Sequence, residues 1–142
     1  MTTFSTQPLS TQALPAIPIL PTIYVTQADF EILSNLADAH AGRALGGRVL
    51  AGEMDRALIV EPGQAPRPFA GIGSSVHYQD LTSGQARTVR LSLPRDASID
   101  DHRVSVVTPV GAALIGMTAG ETFRWTDGEG RPRGVRVLAV EA

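Results

Sequence analysis

The chain has no cysteine. Disulfides, thiolate metal sites and cysteine nucleophiles are thereby excluded, and a reducing compartment is permitted. Lysine is also missing: all twelve basic residues are arginine, which reads first as genome composition and only second as a demand for bidentate recognition. Aromatic residues make up 5% of the chain, too few for a base-stacking platform. Neither sign of charge dominates, the formal net charge being -2. Nothing therefore draws the molecule as a whole towards nucleic acid or an anionic membrane, and a macromolecular partner is expected to be a protein. The opening residues carry no Lys or Arg, and Pro8, Pro15, Pro18 and Pro21 interrupt what apolar character they have. That pattern argues against a signal peptide and a spanning helix, and a cytoplasmic protein is expected.

What is present supports one good core with a small appendage, at 142 residues and 43% hydrophobic content. Residues 1–21, rich in Thr, Ser, Gln and Pro, read as a disordered or loosely extended leader. Thr26 followed by Asp29 resembles a capping box, and Phe30, Leu33, Leu36 and Ala37 recur at helical spacing. This predicts a helix over residues 27–40. Gly42, Gly46 and Gly47 break the pattern, and Val49, Leu50, Met54, Ala57 and Leu58 resume it. Residues 22–60 are thus expected to form a short antiparallel helical hairpin. Residues 61–74, dense in proline and glycine, read as a linker.

From Val76 the periodicity changes from helical to alternating. Residues 76–81 and 86–93 flank Thr82, Ser83 and Gly84 as a β-hairpin, with Val89 and Leu91 on one face and Thr88 and Arg90 on the other. Residues 95–102 read as a polar loop. Further strands are expected over residues 104–107, 121–125 and 135–140, with a turn-rich tip over residues 126–134. Within residues 103–121, Thr108 is a natural N-cap and Pro109 suits the first helical position, where its missing N–H has no partner to lose. Val110, Ala113 and Leu114 then share a face, and Gly116 stops the helix with Met117 folding back. The fold class is α+β: the helical hairpin, then an antiparallel sheet with one packed helix over residues 75–142.

The stretch TPVGAALIGMTAGE, followed by ETFRW and GVRVLAV, resembles the C-terminal domain of the GreA/GreB transcription elongation factors. Within that family the chain is most similar to the short Rnk-like members, the regulators of nucleoside diphosphate kinase. Glu53, Met54, Asp55, Arg56 and Ala57 also fit. The resemblance implies an FKBP-like domain that docks on RNA polymerase at the rim of the secondary channel, with a hairpin pointing towards the channel. Carried onto this sequence, it implies partner binding at Thr108, Pro109, Val110 and Gly111. One departure is Val107, where Gre factors often carry an acid.

The residues offer little catalytic chemistry. Metal-assisted phosphodiester cleavage needs closely placed carboxylates, whereas the expected hairpin tip offers Asp38, His40 and Arg43, with no second acid before Glu53. A helix of fourteen residues spans only about 21 Å. His40, His77 and His102 lie in three different elements without ligand spacing, so neither a metal nor a cofactor is expected. The arginines from Arg87 to Arg136 could form a basic stripe on one sheet face, but eight acids accompany eight arginines from Gly71 onward, which makes a mixed-charge surface the default. The expected function is a non-enzymatic regulator that binds RNA polymerase without stimulating transcript cleavage or reading nucleic acid sequence. The alternatives are an FKBP-like prolyl isomerase, suggested by fold alone, and a domain binding another protein such as nucleoside diphosphate kinase.

Overall fold

The computed structural model describes residues 20–142; all but the last two residues of the expected leader lie outside that range. Helix α1 spans Gln27–His40 and α2 spans Leu45–Arg56, antiparallel to it. The Thr26 cap forms as its sequence predicts, its Oγ1 accepting from the Asp29 N–H at 3.2 Å. The Asp29 carboxylate does not bond back to the cap. It accepts from the Ile72 N–H at 3.3 Å and so ties the first turn of α1 to the segment that follows the hairpin.

Gly46 and Gly47 do not end the hairpin turn; both lie inside α2 and are buried. Their role is close approach. A Cβ on Gly47 would strike the backbone and Cβ of His40, so the two helices meet where no side chain fits. Ala57 and Leu58, expected in the helix, lie beyond it. Leu58–Ile59 forms β2, paired in parallel with β1 (Tyr24–Val25), and the Leu58 N–H donates to the Ile23 carbonyl at 2.8 Å.

Five further strands build the main sheet: β3 (Ser75–Asp80), β4 (Ala86–Ser92), β5 (Arg103–Ser105), β6 (Thr122–Thr126) and β7 (Pro132–Glu141), in the order β5-β4-β3-β7-β6. The sheet was expected to be antiparallel throughout, but it is mixed. β5 runs parallel to β4 because Pro94 opens a 3-10 turn, Pro94–Asp96, and residues 97–102 carry the chain back before it re-enters the sheet. The strand expected to reach Val107 stops at Ser105, whose carbonyl accepts both the N–H and the hydroxyl of Thr108. A bulge in β7 opposite His77 and Tyr78 adds a residue and local twist.

Helix α3 (Pro109–Leu114) packs on one sheet face, the one formed by Val76, Tyr78, Val89, Leu91, Val135 and Val137. Leu33 of α1 and Leu50 of α2 belong to the same cluster as Leu91 and Ile115. The hairpin and the sheet thus share one core, and each such side chain taken out of water contributes roughly 1.5–3 kcal/mol. Gly116, at φ +78°, adopts the left-handed conformation expected of the helix stop, and Met117 behind it is fully buried. Phe69–Ala70, inside the segment read as a linker, is stitched to this turn: Ala70 exchanges hydrogen bonds with Gly116 and Met117. Among the described residues no helix is long and apolar enough to cross a membrane.

Candidate partner-docking surface

The junction from β5 to α3 is built by short-range hydrogen bonds. Thr108 Oγ1 accepts from the Gly111 N–H at 3.2 Å and donates to the Ser105 carbonyl at 2.7 Å, while Ser105 Oγ accepts from the Val107 N–H at 3.2 Å. One threonine thereby closes the turn and caps the helix. Of the four residues expected to face a partner, Thr108 is exposed and Pro109 and Val110 are half-buried. Gly111 is buried, and this corrects its place in the candidate site. A Cβ there would collide with the Ser105 carbonyl oxygen, so this glycine is explained by packing.

Beside Thr108 runs an open groove of about 670 Å³, lined among others by Ile99, Asp100, Val104 and Ser105. Ile99 is 92% exposed, the most exposed large hydrophobic side chain among the described residues. Residues 95–102 read as a polar loop in the sequence, and a lone isoleucine among acids gives no periodic signal. Its position comes from the fold. Ser98 pairs with Arg103, and His102, at φ 56°, turns the chain so that the loop tip stands next to the helix start. Asp100 brings an acid to this groove although Val107 supplies none.

The hairpin tip belongs to the same side of the molecule. A Cβ on Gly46, in the first turn of α2, would collide with the Val107 carbonyl oxygen and the Thr108 backbone, so the tip rests against the junction and does not stand free. Half-buried His40 lines a second, mainly apolar groove with Ile32, Leu36, Leu93 and Pro94. Asp38 and Arg43 are exposed. The structure therefore brings His40 of the tip near the body, and joins the tip to Thr108 through a glycine contact that spacing alone does not reveal. The next acid after Asp38, Glu53, is wholly buried and ion-paired to Arg56 at 2.9 Å. No group of three or more His, Cys, Asp or Glu side chains among the described residues is arranged to hold a metal.

Comparison with known proteins agrees with this architecture. Residues 65–142 match the family described as transcription elongation factor GreA/GreB, C-terminal. The chain is 31% identical over 123 residues to the regulator of nucleoside diphosphate kinase of Escherichia coli strain K12, covering 85% of this chain and 90% of that protein. It is 36% identical over 96 residues to the transcription elongation factor GreA of Syntrophobacter fumaroxidans, covering 66% of this chain and 59% of that one. Among solved structures, a prokaryotic transcription elongation factor GreA/GreB from Nitrosomonas europaea superposes with a TM-score of 0.65 at 27% identity, over 86% of this chain and 99% of the other.

Proposed function

The chain belongs to the GreA/GreB family, and from that membership we propose that it is an RNA polymerase-binding transcription regulator that does not stimulate transcript cleavage. The observation that carries the proposal is the surface of Thr108, Pro109, Val110 and the neighbouring Ile99, which presents apolar atoms and an N-capped helix start within the residues that match the family. Exposed apolar residues with polar neighbours suit docking on another protein. Docking near the secondary channel is the site the family resemblance favours. The reading that cleavage is not stimulated is supported by the chemistry of the tip: holding a metal there needs two or more carboxylates, and Asp38 is alone among exposed acids at the tip.

The test is binding of the full chain to immobilised core RNA polymerase, together with transcript cleavage on stalled elongation complexes. Micromolar or tighter binding with no added cleavage is expected. Lack of binding at that concentration sinks the docking proposal, and strong cleavage sinks the reading of the tip. A second reading, direct binding of a nucleoside diphosphate kinase, is favoured by the name of the Escherichia coli relative and is separated by the same binding assay with that enzyme immobilised.

A further inference from the structure

The main sheet has a second face, turned away from the helices. Alternation along the strands places Arg90 and Thr88 of β4, His77 and Gln79 of β3, Arg136 and Leu138 of β7, and Arg124 of β6 on it. The sequence interleaves acids with arginines through this domain, but the fold separates them. Asp96, Asp100 and Asp101 lie in the loop before β5, while Asp127 and Glu129 lie in the β6–β7 turn. Asp80 falls in phase with the core side and is engaged by Arg133, and Glu121, immediately before β6, falls in phase with Phe123 on that same side. Glu141 is the one acid in register on the open face; it and Arg90 both pair with Ser75, at the end remote from Arg124. That leaves Arg124 and Arg136 without an opposing carboxylate among the described residues, and neither makes a side-chain hydrogen bond or ion pair there.

Their placement is specific. Arg124 sits opposite Gly134 and Thr122 opposite Arg136, so the two arginines are diagonal neighbours about 7–8 Å apart, within mutual reach of long side chains. Because Gly134 has no side chain, the Arg124 stem lies over it; a Cβ there would be 3.4 Å from Arg124 Cγ. Leu138, 42% exposed at the β7 bulge, provides an apolar centre next to them. Two free guanidinium forks beside one leucine complement an extended or helical segment rich in carboxylates with an apolar anchor. Nucleic acid fits less well. Phe123, Trp125 and Tyr78 all lie in the core-side phase, which leaves the His77 imidazole, tied to Thr88 Oγ1 at 2.8 Å, as the one ring on this face, and two or three guanidiniums are few beside a phosphate backbone.

We propose that the outward sheet face around Arg124, Arg136 and Leu138 docks an acidic segment of a protein partner, independently of the Thr108 surface. The test titrates the isotope-labelled full chain with a short synthetic peptide of glutamates around one leucine, following amide shifts at about 0.05 M and about 0.5 M salt. Shifts confined to Arg124, Arg136, Leu138 and His77 are expected, weakened by high salt and about tenfold weaker in R124E/R136E. R124Q/R136Q gives an intermediate loss, and circular dichroism of both variants confirms folding. Equal binding by the variants, shifts centred on Thr108, tighter binding of a duplex oligonucleotide, or self-association through this face each overturns the proposal. Polymerase binding that persists in R124E/R136E leaves the Thr108 reading standing, so the two proposals fail separately.

Discussion

Gly46 lies so close beneath Val107 that a side chain on the one would collide with the carbonyl oxygen of the other. This contact fixes the hairpin tip against the start of α3, and it turns a helix-disfavouring residue into a requirement. In an open helix interior, alanine is about 1 kcal/mol better than glycine. At Gly46 the clash reverses that sign.

Gly46→Ala is therefore expected to lower stability by about 1–3 kcal/mol, the usual cost of overpacking a close contact. Gly52, in the same helix, is exposed with open space around its Cα. Gly52→Ala is expected to raise stability by about 0.5–1 kcal/mol. Urea unfolding of the two variants beside the parent checks both; equal effects at the two positions refute the contact argument.

The hairpin shows how far sequence carries and where it stops. Thr26 and the spacing of Leu33 and Ala37 placed α1 correctly because capping and 3.6-residue periodicity are local properties. Gly46 and Gly47 read as a turn because glycine is ambiguous locally: its meaning here lies in His40 and Val107, which only the fold brings near. The same holds for the parallel pairing of β5, which depends on how residues 94–102 return, and for Ile99, whose neighbour Thr108 is nine positions away. Thr108 and Pro109 were legible because a cap and a first-turn proline are recognisable in the residues themselves. Gly111, beside them, carries no such local signal, because its place is set by the Ser105 carbonyl across the turn.

Thr108 has two duties that substitution can separate. Thr108→Ser retains both hydroxyl hydrogen bonds and is expected to stay within about 0.5 kcal/mol of the parent. Thr108→Ala removes the cap of α3 and the bond to Ser105, and is expected to cost about 1–2 kcal/mol by thermal or urea unfolding. If Thr108→Ala proves as stable as Thr108→Ser, the hydroxyl does not hold the junction.

Ile99 separates binding from folding more cleanly. At 92% exposure it adds almost nothing to the core, so Ile99→Ser is expected to leave stability within about 0.5 kcal/mol. An apolar anchor at the centre of a docking surface is nonetheless worth about 1–2 kcal/mol of affinity, or roughly a tenfold loss in polymerase binding when removed. A variant that binds as tightly as the parent removes this loop from the proposed interface.

Glu53 adds a pH dependence to the joint between hairpin and sheet. Its side chain is 0% exposed, and burial pushes its carboxyl from 4.5 up to about 7, although the Arg56 guanidinium opposes the rise. The Arg56 contact at 2.9 Å is a charge contact without an aligned N–H, since both Glu53 oxygens lack a hydrogen-bond donor. Arg56 also lies over the Phe123 ring, 5.6 Å from its centroid, and is held there by more than the carboxylate. With the folded value above the unfolded one, the native state binds the extra proton. The stabilisation from this group is complete below about pH 4.5 and is lost as pH rises towards 7, by an amount on the order of 3 kcal/mol. Glu53→Gln keeps the shape and cannot ionise. The difference in unfolding free energy between Glu53→Gln and the parent is expected to move in favour of the variant between pH 5 and about pH 8, as measured by urea unfolding across that range. A difference that stays constant with pH means that Glu53 is ionised throughout and that Arg56 alone compensates its burial.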